Sequence, residues 1–232
     1  MHLFYAPDIE TTNELPEEEA AHAVRVLRLT TGDTLTITDG KGRFFQAEIS
    51  TATHKRCLVH ITQIMPQAPL WRGHLHIAMA PTKLMERTEW FAEKATEIGL
   101  DELTFLQCRF SERKVIKTER IRKILVSAMK QSLKARLPLL HELTPFEHFI
   151  AQPFTGQKFI AHCYPGEKVP LKEALRTGNN ALILIGPEGD FSEEEVQKAL
   201  AAGFTPVSLG NSRLRTETAG LVAVHTFNLD NQ

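Results

Sequence analysis

The sequence predicts a two-part α/β protein: a small β-rich module carrying one helix, then a mostly parallel sheet with helices on both faces. Three observations carry this expectation. The hydrophobic period switches from helical to alternating near residue 33, Met65-Pro66-Gln67-Ala68-Pro69 puts two prolines into one short linker, and beyond it apolar runs alternate with helical patterns. The expected division is residues 1–68 and 72–232.

The elements follow in order. Residues 16–29 read as a helix, with Pro16 at the first turn, Glu17 to Glu19 at the positive end of the dipole, and Ala21, Val24 and Leu27 at helical spacing. Residues 33–38 alternate Thr34, Thr36 and Thr38 with Leu35 and Ile37. Turn residues Asp39-Gly40-Lys41-Gly42 then lead to extended chain through Phe44, Ala47 and Ile49, and 57–64 adds a strand. In the second part, strands are expected at 74–80, 102–107, 158–163, 181–185 and 205–209. Helices are expected at 84–98 (closed by Gly99), 118–136, 145–151, 171–176, 193–202 and 216–227. Ligands of open α/β sheets collect at strand carboxyl ends, which singles out the loops after Ala80, Ile185 and Leu209.

Composition bounds the function. With 232 residues, 42% of them hydrophobic, the chain can build a real core, which excludes a disordered or fibrous protein. Cys57, Cys108 and Cys163 are odd in number and widely spaced, arguing against a disulfide framework or a structural zinc; no metal is expected. No signal-peptide pattern and no membrane-length apolar run is present, so a cytoplasmic location without membrane contact is expected. The formal charge is only −1, yet residues 109–136 hold Arg109, Arg113, Lys114, Lys117, Arg120, Arg122, Lys123, Lys130, Lys134 and Arg136 against Glu112 and Glu119. Such a local excess is the footprint expected of phosphate contacts, or else a solvated helix face.

Two loops carry the chemistry. Gly186-Pro187-Glu188-Gly189-Asp190-Phe191-Ser192 leaves an apolar strand and enters a helix through an S-x-x-E capping box, Ser192 with Glu195. Glu193, Glu194 and Glu195 already occupy the positive helix end and no G-K-[ST] follows, so a phosphate-free cofactor suits the loop better than a nucleotide phosphate; a bare strand-to-helix turn is the other reading. The second loop, Leu209-Gly210-Asn211-Ser212-Arg213-Leu214-Arg215-Thr216-Glu217, combines a glycine with two arginines, and Thr216 or Thr218 can cap the following helix. In the first module, His22, Arg25 and Arg28 share one side of the helix, either as a second RNA contact or as cations at a helix C-terminus.

Together these stretches resemble the ribosomal RNA small subunit methyltransferase E family, the uridine-N3 methyltransferases of the SPOUT superfamily. The resemblance rests on His22 to Arg28, Glu93-Lys94-Ala95-Thr96-Glu97-Ile98-Gly99, Gln131-Ser132 through Arg136-Leu137-Pro138, Ile185 to Gly189, and Leu214-Arg215-Thr216-Glu217-Thr218-Ala219. It implies a C-terminal SPOUT α/β domain with a trefoil knot and an N-terminal PUA-like β-barrel that binds RNA. It further implies a homodimer, S-adenosylmethionine as cofactor, and small-subunit ribosomal RNA as substrate. Gly186, Pro187, Glu188, Gly189, Leu209, Gly210, Leu214 and Thr216 would line the cofactor pocket. His22, Arg25, Arg28, Arg113, Lys114, Gln131, Lys134 and Arg136 would meet RNA. Arg215 and Glu217 are the candidate catalytic residues: a permanently cationic fork for charge on the uracil edge, and a proton acceptor or helix-start anion. The chain departs from the family pattern at Asp190, where another glycine is usual, and at Leu133-Lys134, where Gly-Arg is common. Alternative readings are a related methyltransferase acting on another RNA, and a non-catalytic RNA-binding assembly factor.

Overall fold

The computed structural model describes residues 2–53 and 56–232, which divide into two compact units: Met1–Pro69 with Val126–Leu137, and Leu70–Leu125 with Pro138–Gln232.

In the first unit, β1 (Leu3–Tyr5) pairs in parallel with β2 (Thr34–Thr38), which continues antiparallel to β3 (Arg43–Ala52) and β4 (Cys57–Pro66). The short helix α1 (Ile9–Thr12) carries the chain to the far edge of β4, where Leu15 N–H donates to Cys57 O and Val59 N–H donates to Asn13 O, each at 2.9 Å. Among the described residues no ladder joins β4 back to β1, so the strands form an open row rather than a closed barrel. Phe4, Ile37, Phe45 and Ile49 fill the core beneath it. The helix expected over 16–29 is shorter: α2 (Glu17–Ala21) runs into one π-turn, His22–Val26, and Arg28 then adopts a left-handed φ of 58° that ends it. Residues 126–137, the second half of helix α4 (Thr118–Gln131) and the segment after it, belong to this unit as well. Gly42 N–H donates to Ala135 O (2.8 Å), Leu137 N–H donates to Gly40 O (2.9 Å) and the Thr38 hydroxyl donates to Ala135 O (3.2 Å), so residues 135–137 pair with the β2–β3 turn.

The second unit is built on seven parallel strands: β5 (Leu75–Met79), β6 (Glu102–Gln107), β7 (Leu139–Pro145), β8 (Gln157–Ala161), β9 (Val169–Pro170), β10 (Ala181–Ile185) and β11 (Thr205–Ser208), ordered β7-β6-β5-β10-β8-β11-β9. Helices α3 (Met85–Ile98), α5 (Phe146–Ile150), α6 (Leu171–Ala174), α7 (Glu193–Ala201) and α8 (Thr216–Asn231) flank the sheet, and α4 contributes its first half, to Leu125. Every residue of β5 and β10 is buried, as expected of central strands covered on both faces.

This Rossmann-type α/β core corrects the fold class expected above. The strand pairings describe one open, all-parallel sheet with flanking helices in place of a SPOUT-type domain with a trefoil knot. Parallel strands need crossover connections, and here helices supply all of them except the one from β8 to β9, so the aligned strand ends follow from the sheet itself. Among the described residues no helix is long and apolar enough to cross a membrane.

Helix α8 settles closely because of Gly220. A Cβ built there would lie 2.7 Å from Phe91 Cε2 and 3.2 Å from Met79 Sδ, and both side chains are fully buried. Gly220→Val should therefore lower stability by about 1–3 kcal/mol through overpacking, outweighing the gain in helix propensity. Urea unfolding would read this as a lower midpoint at constant m, whereas an unchanged midpoint would mean that Phe91 has room to move.

Candidate functional site

The sheet order reverses between β5 and β10: from β5 it runs outward to β6 and β7, and from β10 outward to β8, β11 and β9. Such a switch point leaves a crevice at the strand carboxyl ends. The loops singled out in the sequence meet there. Lys83 N–H, after β5, donates to Glu188 Oε1 at 2.9 Å, and the buried Thr216 hydroxyl, at the start of α8, donates to Gly186 O at 3.0 Å. One hydrogen bond spans the crevice and the other ties the second glycine-bearing loop to the first.

Local chemistry explains the shape of the loop after β10. Gly186 is buried, and a Cβ on it would sit 3.1 Å from Phe191; a Cβ on Gly189 would sit 3.1 Å from Phe110. Pro187 O accepts from Asp190 N–H at 2.9 Å, closing the turn. Asp190 holds a left-handed φ of 67° where glycine would be unstrained, and its carboxylate compensates by accepting from Cys163 N–H at 2.7 Å and Phe191 N–H at 2.8 Å. The capping box is present: Ser192 Oγ accepts from Glu195 N–H, and Glu195 Oε2 accepts from Ser192 N–H. Its other oxygen accepts from Arg109 N–H at 2.8 Å, fixing the exit from β6.

In the loop after β11, Gly210 has a φ of 120° with open space around it, Leu209 and Leu214 are half-buried, and Arg213 and Arg215 are exposed. Arg215 is the N-cap of α8 and offers no side-chain cap; Thr216 spends its hydroxyl on Gly186 instead of capping. Glu217 is buried, with Arg87 Nε 3.8 Å from Oε1 and no hydrogen-bond partner for Oε2 among the described residues.

The candidate RNA contacts fall into both units. In the first, Arg25, Arg28, Gln131 and Arg136 are exposed and His22 is half-buried, whereas Lys134 is only 9% exposed. In the second, Lys114 is exposed, while Arg113 is half-buried and donates to the carbonyls of Thr82 (3.2 Å) and Lys83 (2.6 Å). Arg113 thus shapes the loop after β5. A cleft of about 440 Å³ beside it is lined by Lys83, Lys117 and Arg120 together with Glu86 and Glu89. Hydrogen bonding to Glu112 raises the Lys83 pKa, keeping its ammonium charged. Several cations of the 109–136 stretch are already engaged, Arg120 with Glu89 (2.6 Å) and Lys130 with Glu19 (2.5 Å).

Residues 69–228 match the family model described as an RNA methyltransferase domain, and residues 15–62 match an RNA methyltransferase PUA domain. The ribosomal RNA small subunit methyltransferase E of Synechocystis is 29% identical, over 97% of this chain and 76% of its own. The chain belongs to the ribosomal RNA small subunit methyltransferase E family. Two solved structures extend the comparison. A Porphyromonas gingivalis protein described as a probable rRNA-methyltransferase is 48% identical with a TM-score of 0.93, covering 99% of both chains. The Neisseria gonorrhoeae member of this family, solved bound to S-adenosyl methionine, is 25% identical with a TM-score of 0.85, covering 97% of this chain and 95% of that one.

Two participants escaped the sequence reading, Lys83 and Arg87, while Arg113, expected to meet RNA, also holds the carbonyls of the loop after β5. The loop after Ala80 was flagged by its place in the sheet, but no spacing tells which of its residues bridges to Glu188. Asp190 gives a direct check on the loop. Asp190→Ala should destabilise by about 1–3 kcal/mol, because two backbone donors lose their acceptor. Asp190→Gly should lose less, since it relaxes the left-handed backbone; thermal unfolding that ranked Gly below Ala would contradict this account.

Proposed function

We propose that this chain methylates N3 of a uridine in small-subunit ribosomal RNA, as a cytoplasmic homodimer. Family membership carries the coarser statement: it is an S-adenosylmethionine-dependent ribosomal RNA methyltransferase. The observation that supports the site is the pair of hydrogen bonds drawing the loops after β5, β10 and β11 into one crevice.

The residues suit this cofactor. Gly210 has clear space around it, and the buried Glu217 Oε2, without a hydrogen-bond partner among the described residues, offers an acceptor at the helix start. Gly186, Pro187, Glu188, Gly189, Leu209, Gly210, Leu214 and Thr216 hold it in this reading. S-adenosylmethionine supplies an electrophilic methyl group on a sulfonium.

The protein's own work is orientation and charge. Uridine N3 must lose its proton as it attacks, so negative charge grows on the uracil edge. Arg215, exposed at the N-cap of α8, presents a guanidinium that stays cationic and can fork onto a carbonyl oxygen. Glu217 accepts the proton or, through Arg87, holds the helix start in position. N3 lies on the Watson–Crick edge, so the target base must be unpaired or extruded. Arg25, Arg28, Arg113, Lys114, Gln131 and Arg136, with His22, supply the contacts that hold the RNA. Lys134, being buried, contributes chiefly by packing within the first unit.

Arg215→Ala should lower kcat about 10²–10³-fold in a methyl-incorporation assay while RNA affinity stays unchanged; full turnover would remove Arg215 from this role. In the first unit, the double variant Arg25→Ala, Arg28→Ala should weaken RNA binding and flatten its dependence on log salt by about 1.4, the value for two single-strand phosphate contacts. An unaltered slope would place the RNA elsewhere. Mapping of methylated nucleosides in ribosomal RNA from cells with and without the gene tests the substrate itself.

A further inference from the structure

The amino ends of β5, β6 and β7 carry a polar cluster that the methyl-transfer site does not use. His76 lies second in β5 and is paired in register with Glu102, the first residue of β6; His141 comes from β7. Between Leu103 and Phe105 the β6–β7 register slips, so that His141 and Glu142 oppose one residue of β6, and such a bulge re-aims a side chain. The result places His141 Nε2 2.5 Å from Glu102 Oε1, and His76 Nδ1 3.5 Å from Glu102 Oε2. His74, two residues before His76 and thus on the same side of the extended chain, brings Nε2 to 2.9 Å from Glu102 Oε2.

We propose that His76, His141 and Glu102 form a binding site for a divalent transition-metal ion of the zinc type, with His74 or water completing its coordination. Three features carry the proposal. The ligand atoms of His76, Glu102 and His141 all lie within 4.8 Å of one another, and among the described residues this is the one His, Cys, Asp and Glu group so arranged. Tetrahedral zinc with bonds of about 2.0–2.1 Å needs ligand atoms about 3.3 Å apart, so the cluster closes on an ion by side-chain adjustment of the order of 1 Å. The second shell is also in place. His76 Nε2 lies 2.8 Å from the buried Thr104 hydroxyl; with Nε2–H donating there, the Nδ1 lone pair is turned toward a carboxylate oxygen, and two acceptors face each other across a gap that a cation fills. Two imidazoles and a carboxylate, with no sulfur, suit zinc and its neighbours better than magnesium or calcium. The ion would clamp three neighbouring strands at the end of the sheet opposite the crevice.

The full chain, stripped with a chelator and dialysed, is titrated with zinc chloride and separately with magnesium chloride by calorimetry. The proposal expects one zinc per chain, no saturable magnesium heat, and a higher unfolding temperature with zinc. His141→Ala, at a partly exposed position, and Glu102→Gln, which keeps the side-chain size, should each weaken zinc binding about 100-fold or more. Circular dichroism of the metal-free variants checks that they fold. Cobalt substitution should give a spectrum without a thiolate charge-transfer band. Absence of saturable zinc binding, an affinity in either folded variant as tight as that of the unsubstituted chain, or a thiolate band would overturn the site and leave a hydrogen-bonded histidine network.

Discussion

Parallel pairing is the constraint from which the rest of the second unit follows. When β5, β10, β8 and β11 run the same way, all their carboxyl ends open on one edge, and four loops from distant parts of the sequence must share it. Apolar burial on both faces of β5 and β10 holds this arrangement, since neither strand can rotate or slip without exposing five buried residues. The loops themselves contribute little apolar area and depend on the sheet for their placement.

Within that frame the crevice is held by few polar contacts, each made by a residue with one conformational task. Thr216 joins the end of one loop to the carbonyl of another, Glu188 reaches across to the chain after β5, and Asp190 fixes the strained corner between them. These acceptors are largely satisfied by backbone donors. The arginines at 213 and 215, which flank these contacts, stay exposed.

Much of this was legible in the sequence where local signals and tertiary packing agree. The strand over residues 181–185 is an unbroken apolar run, and its boundaries coincide with β10; the Ser192–Glu195 box specifies the start of α7 by itself. Disagreement arose where a non-glycine residue does the work of glycine. The helix expected to reach residue 136 stops at Gln131 because Leu133 takes a φ of 53° and Lys134 N–H closes back on Met129 O, a termination that composition does not announce. Strand β7 was missed because its Pro145 and lack of alternation hide an edge strand that exists through pairing with β6. The knotted domain came from resemblance, and the strand order replaced it. Of the site, both glycine-bearing loops were legible, but the partners Lys83 and Arg87 were not, since a contact between residues 105 positions apart leaves no periodicity.

The return of residues 126–137 to the first unit changes what counts as a separable piece of this polypeptide. The backbone passes between the two units three times, at 69–70, 125–126 and 137–138, so the proline-rich stretch near residue 67 is only one of three joints. A protease nick there would cut the backbone of the amino-terminal module but leave it hydrogen-bonded to residues 135–137 of the other fragment. A gene fragment ending at that stretch would likewise lack residues 135–137, which pair with the turn at Gly40 and Gly42. The two units must therefore be inherited, expressed and folded as one interleaved chain.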